Sequence, residues 1–149
     1  MTGIAGSRPA GLQAFAGGEP PAFASDASQR VRFWNAGAER LLQRPAGLAL
    51  DAPCFEVVRG RDVFGNRFCY DNCALLAALR RGEAVRPFAL LAPVRGSGCQ
   101  HQLRVTPVRL QDERRQSFLI LHILGSTRPS EPLAAEPPPP CGEPPLTAR

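Results

Sequence analysis

The sequence contains no lysine: every one of its 18 basic residues is arginine. Against 13 acidic residues they leave a net charge of +5. An all-arginine basic set beside abundant Ala, Gly and Pro is the signature of GC-rich coding. The arginines are scattered, with no basic run interleaved with aromatics and no helix-turn-helix pattern, so direct nucleic-acid binding is not expected. Long apolar runs are also missing. None reaches the ~18–20 residues that a bilayer requires, so no membrane association is expected. The N-terminus lacks a charged start followed by an apolar stretch, which argues against a signal peptide, and the expected location is the cytoplasm. Catalytic patterns are absent too: there is no Gly-rich phosphate loop, no Ser/His/Asp order and no His-Glu helix motif. Glu56 and Asp62 read as solvated acids, and the chain is not expected to be an enzyme.

Proline, by contrast, is plentiful, with 16 residues, and it is concentrated at one end. Residues 126–149 include Pro137-Pro138-Pro139-Pro140 and Pro144-Pro145. Proline removes backbone donors and restricts φ, so this stretch reads as a disordered, Pro-rich tail. Residues 1–20 are rich in Gly, Ala and Pro without sustained periodicity, and read as a flexible N-terminal segment. Residues 21–125 remain for one modest core.

Within that core the apolar spacing changes in kind along the chain. Residues 21–26 and 31–34 read as strands, the second with Val31 and Phe33 alternating against Arg30, Arg32 and Trp34. Asn35 is placed to cap a helix that carries Leu41 and Leu42 and stops at Pro45. A short helix is expected after Pro53, with Cys54, Val57 and Val58 inward. Residues 60–66 read as a loop and 69–81 as a helix ending at Gly82. Three strands follow, at 86–95, 99–110 and 116–124, the first two joined by a turn at Gly96-Ser97-Gly98. Strands first, then short helices, then strands joined by tight turns predict an α+β fold with an antiparallel sheet. The last strand is apolar on both faces. Its Leu119, Leu121 and Ile123 face is expected to meet another chain or a helix, and is the candidate interface.

Arg30-Val31-Arg32-Phe33-Trp34-Asn35 followed by Ala36-Gly37-Ala38-Glu39 resembles a PAS sensor domain, in which a short strand ends in Trp-Asn before a helix. Asp26 before the first turn and the 118–124 strand after a Gly-turn hairpin fit the same family. The resemblance covers residues 21–125. It implies a five-stranded antiparallel sheet with short helices on one face. It also implies a signalling module that works through a homodimer, or through a separate kinase or transcription regulator. The stretch Gly60-Arg61-Asp62-Val63-Phe64-Gly65-Asn66, followed by Cys69 and Cys73, is similar to a subgroup of PAS domains attached to bacterial regulators. That likeness implies thiols acting together.

Cysteine is the residue type with the most chemical content here. Five are present, and in a cytoplasmic setting they point to free thiols, a metal site or redox sensing rather than structural disulfides. Cys54, Cys69 and Cys73 are close in sequence, and positions four apart on a helix project to one side. Three thiolates suit zinc or an iron–sulfur cluster given a fourth ligand, for which Cys99 and His101 are the candidates. Cys141 lies in the tail. The same thiols are also consistent with redox chemistry, or with small apolar side chains in an inert core. Flavin is not expected, because Asn72-Cys73 is followed by Ala74-Leu75-Leu76 and lacks the Arg and Gln of the light-sensing PAS motif. His101 and His122 read as sheet residues rather than haem ligands. The expected function is a sensory module using Cys54, Cys69, Cys73 and Cys99. The alternatives are a plain interaction module, or a small-molecule pocket lined by Phe33, Phe55, Phe68, Phe88 and Leu103.

Overall fold

Strict alternation in the C-terminal third of the core becomes three adjacent antiparallel strands. The structure, a computed structural model, describes residues 10–93, 100–114 and 116–126. In chain order the elements are α1 (Ala10–Gln13), β1 (Ala22–Asp26), β2 (Val31–Trp34), α2 (Ala36–Leu42) and α3 (Ala46–Ala49). They continue with α4 (Cys54–Val58), α5 (Ala74–Arg80), β3 (Phe88–Pro93), β4 (Gln100–Asp112) and β5 (Ser117–Ser126). The strands form one sheet in the order β2-β1-β5-β4-β3, antiparallel at every junction. The expected turn at 96–98, Cys99 and the tail 127–149 with Cys141 lie outside the described residues.

β5 occupies the centre of the sheet, as its two apolar faces require. On the inner face, Phe23, Trp34, Leu90, Leu103, Val105 and Leu124 pack beneath Ala38 and Leu42 of α2, Ala49 of α3 and Val57 and Val58 of α4. Leu75, Leu76 and Leu79 of α5 pack on Phe118 and Ile120. Beyond the end of α5, Gly82 adopts a positive φ of 81°, the glycine stop that the sequence suggests.

β2 departs from the expected alternation. Ala24 pairs with Phe33 but Ser25 pairs with Val31, so Arg32 is an extra residue in the ladder. Such a bulge reverses the facing of everything beyond it. Val31 and Trp34 therefore point inward, while Phe33 joins the outer cluster with Leu119 and Leu121. Arg32 itself pairs with Asp26 at 2.8 Å and Asp51 at 2.9 Å.

The N-terminal stretch also corrects the sequence expectation. Residues 1–9 lie outside the described part, but residues 10–20 are held against the sheet rather than free of it. Leu12 is only 2% exposed and packs on Leu119 and Leu121, with Phe15 beside them. α1 thus covers Leu119 and Leu121 of the candidate interface face, while Ile123 is only partly buried. Asn35 makes this arrangement possible. Its Oδ1 accepts from the backbone N–H of Ala38 at 2.9 Å, the expected cap, and from Ala22 at 3.0 Å. Its Nδ2 donates to the carbonyls of Phe15 at 3.0 Å and Pro20 at 2.9 Å. One side chain therefore caps α2 and fastens the N-terminal segment. Gly37 lets that segment cross α2 closely: a Cβ there would meet the Gly18 carbonyl and lie 2.8 Å from the Pro21 Cα.

Candidate functional site

The cysteine-bearing stretch begins at Gly60, where the chain doubles back. The Asp62 carboxylate accepts from the backbone N–H of Phe64 at 2.9 Å and of Asn66 at 2.8 Å, an Asx-type turn completed by Gly65 at φ 90°. These donors hold the exposed Asp62 carboxyl below its ordinary pKa. Arg61 exchanges two 2.8 Å backbone hydrogen bonds with Leu91, which seats the loop on the edge of β3. The N–H groups of Phe68 and Cys69 both donate to the Gly60 carbonyl. A Cβ on Gly60 would lie 2.8 Å from the Cys69 sulfur and 2.7 Å from Leu90, so only glycine lets the thiol sit this close.

Cys69 and Cys73 do not share a helix, contrary to the expectation for residues 69–81. Asn72 adopts a left-handed φ of 59°, and Cys73 is extended at the position just before α5. The cause lies far away in sequence, at Gln29. Its side-chain amide donates to the Tyr70 carbonyl at 3.1 Å and accepts from the Asn72 N–H at 2.8 Å. Its own carbonyl accepts from the Cys54 N–H at 2.8 Å. Gln29 is buried and itself has φ 65°. It reads from sequence as a polar turn residue, yet it joins the β1–β2 turn, the start of α4 and the loop before α5.

These elements enclose a cavity of about 40 Å³. Its floor is the inner sheet face, with Phe23, Leu90, Val105, His122 and Leu124. Cys54, Phe55 and Val58 of α4 form one wall, and Leu75 and Phe88 another. Phe68, Cys69, Tyr70 and Cys73 border the side nearest solvent, where Tyr70 is 40% exposed. No charged side chain lines the space. Of the expected pocket residues, Phe55, Phe68 and Phe88 are in place. Leu103 is fully buried in the core beside the cavity, and Phe33 is on the opposite face of the sheet because of the bulge at Arg32.

All three thiols reach this cavity, but they do not form a metal cage. Among the described residues, no group of three or more His, Cys, Asp or Glu side chains is arranged to hold a metal ion. Cys99 lies outside the described residues, and His101, paired across from Ala92, does not line the cavity. Burial pushes the Cys54 thiol up to about 12, with Cys69 and Cys73 adding to the effect. Burial likewise pushes Cys69 up to about 11, offset in part by the Gly60 backbone. Both are therefore held as neutral thiols.

His122 is the polar group that sequence reasoning assigned only to the sheet. It stacks on Phe23 with ring centroids 4.1 Å apart and planes 8° from parallel. Burial drives its pKa down to about 4, so it is a neutral imidazole at pH 7. Its Nδ1 is buried and has no hydrogen-bond partner. The signal available in sequence was its place on the inward parity of β5, with Phe118, Ile120 and Leu124.

Neither a protein-family model nor a curated protein matches the sequence. Solved structures do match the fold. The PAS domain of an HTR-like protein from Haloarcula marismortui superposes with a TM-score of 0.55 at 18% identity, over 78% of this chain and 94% of that one. The PAS domain of nitrogen regulation protein NR(II) from Vibrio parahaemolyticus gives 0.52 at 16% identity, over 76% and 95%. The fold is that of a PAS domain. In this PAS fold the cavity lies between the inner sheet face, α4 and the loop entering α5, and its polar lining consists of three thiols, the Gln29 amide, Tyr70 and the His122 imidazole, whose Nδ1 has no hydrogen-bond partner.

Proposed function

We propose that this chain is a sensory PAS module that takes a small, neutral, mainly apolar compound into its cavity and signals its presence to a protein partner. The observation that carries this reading is the cavity itself: apolar walls, no charged side chain, and one buried imidazole nitrogen left without a partner. A charged ligand would lose its hydration with no counter-charge in return. Binding rather than catalysis suits the lining, since Cys54 and Cys69 are protonated and His122 is neutral. Gln29 supplies a route outward, because it lines the cavity and also holds the loop from Tyr70 to Asn72. The partner is a second copy of the chain, or a separate kinase or transcription regulator.

Toluene is a suitable first probe. At a hundredfold excess over its Kd, a ligand of the folded state contributes about 2.7 kcal/mol, which raises the melting temperature of a domain of this size by about 10 °C. If neither toluene nor hydroxylated or heteroaromatic compounds of similar size move the transition, the reading is wrong.

A redox reading has one observation behind it, the three thiols around one cavity. It asks for thiolates, and burial works against them. With Cys69 near 11, its thiolate fraction at pH 7 is on the order of one part in ten thousand. Iodoacetamide should therefore label Cys54 and Cys69 very slowly in the native protein and rapidly in denaturant. Fast native labelling, or a shift in melting temperature after brief peroxide treatment that Cys54→Ser and Cys69→Ser abolish, would favour the redox reading instead.

A further inference from the structure

We infer that the cavity takes a compact neutral hydroxyl compound with an aromatic body, of which phenol is the smallest member, its hydroxyl meeting Nδ1 of His122. This rests on the cavity being a ligand site, as proposed above, and names the chemistry that fills it.

The argument begins with the orphan nitrogen. His122 is 8% exposed, sits in the central strand and lines the cavity floor. Its neighbours across the sheet are Phe23 on β1 and Pro107 on β4, and neither side chain carries a polar atom; the backbone at Phe23 and Ile120 interacts with the imidazole, but Nδ1 is left without a hydrogen-bond partner. The Gln29 amide, also in the lining, is already engaged with Tyr70 and Asn72. A buried nitrogen with no partner is costly, and folded proteins leave few of them. Water is a poor occupant, because it needs two or more good polar partners, and beside the imidazole the lining offers the engaged Gln29 amide, weakly bonding thiols and the partly exposed Tyr70. A ligand that brings its own polar atom removes the deficit.

A hydroxyl is the group that fits without further conditions. It donates to Nδ1 if the ring proton is on Nε2, and accepts from Nδ1 if the proton is there. A carbonyl answers only one tautomer. An ammonium or carboxylate finds no counter-charge in the lining. The aromatic body follows from the walls. Phe23 is stacked on His122, and Phe68 is stacked on Phe88 with centroids 4.8 Å apart, so two ring pairs face the same space. Aromatic rings meet one another favourably edge-on or offset. The empty space of about 40 Å³ is smaller than the ~150 Å³ that encloses a benzene ring. The hydroxyl therefore goes to the floor, and the ring extends toward the partly exposed side at Phe68 and Tyr70.

Titration calorimetry of the full chain at pH 7 with phenol and with toluene tests this. Phenol is expected to bind at least about tenfold more tightly than toluene, since only phenol answers the buried nitrogen. In His122→Phe, which keeps the stacked ring, the preference should vanish while toluene still binds. Should that variant fail to fold, the wild-type protein decides: the ring-nitrogen NMR signals of His122 should shift on adding phenol and stay in place with toluene. Equal affinities for the two compounds, or phenol binding with an unmoved His122 signal, overturns the inference and leaves the cavity reading standing. Binding of neither compound overturns both.

Discussion

Asn35 and Gln29 each spend one amide on several segments, and both are almost completely buried. The Asn35 amide makes four hydrogen bonds, two to backbone donors and two to backbone carbonyls. Its removal takes a partner from all four groups, and of these the Phe15 carbonyl keeps a bond from the Gly18 N–H at 3.1 Å. Asn35→Ala should therefore cost about 3 kcal/mol, more than the ~1 kcal/mol of a simple helix cap. Urea denaturation checks this, and a loss near 1 kcal/mol would mean that Asn35 acts only as the cap of α2. Gln29 plays the matching part at the cavity, and its bonds to Tyr70 and Asn72 explain why Cys73 precedes α5 instead of lying within it.

The elements divide into those that local pattern explains and those that a distant contact sets. β4 and β5 pair over ten residues from Leu103–Ser126 to Asp112–Ser117, and their alternation matches the two faces they cover. α1 is different. Four residues cannot hold a helix alone in water, so α1 depends on Leu12 resting on Leu119 and Leu121, and on the Asn35 contact behind it. Leu119 and Leu121 of the outer sheet face are consequently covered by the chain itself, while Val108, Leu110 and Ile123 are only partly buried. Leu121→Glu is expected to lower the melting temperature sharply, because it places a carboxylate in an apolar layer with no counter-charge. A variant that keeps its melting temperature and changes only its oligomeric state, read by light scattering, would show that α1 leaves this face open to a second copy. Leu12→Ala, which thins the same layer from the other side, should cost about 2–4 kcal/mol.

For the molecule as a whole, the buried titratable groups bound its stability on both sides of neutral pH. His122 has its folded pKa depressed to about 4 from an ordinary 6.5. Its contribution is present above 6.5 and is lost as the pH falls toward 4, by about 1.4 kcal/mol per pH unit. The thiols work in the opposite direction. Cys54 and Cys69 are raised from an ordinary 9.0 to about 12 and about 11. Their contribution is present below 9 and is lost as the pH climbs through the folded values. Urea midpoints measured from pH 4 to 11 should fall at both ends. His122→Phe should flatten the acid limb alone, and Cys69→Ser should soften the alkaline limb alone. An acid limb unchanged by His122→Phe would assign that loss to the carboxylates instead.

Local pattern is enough for the order of the five strands, for the helix that Asn35 caps and for the glycine stop at Gly82. These follow from period, capping chemistry and turn residues, all of which act over a few positions. Contacts between distant residues set the rest. The extra residue at Arg32 that turns Phe33 to the outer face depends on pairing between two strands. The burial of α1 depends on a sheet face formed by Leu119 and Leu121, more than 100 positions after Leu12 in the chain. The left-handed Asn72 depends on Gln29, 43 residues away. His122 is one more inward residue of an apolar strand until Phe23, Pro107 and the cavity surround it and leave its nitrogen without a partner. Local chemistry specifies which element forms, but the sign of a face and the loneliness of a buried polar atom belong to contacts between residues far apart in sequence.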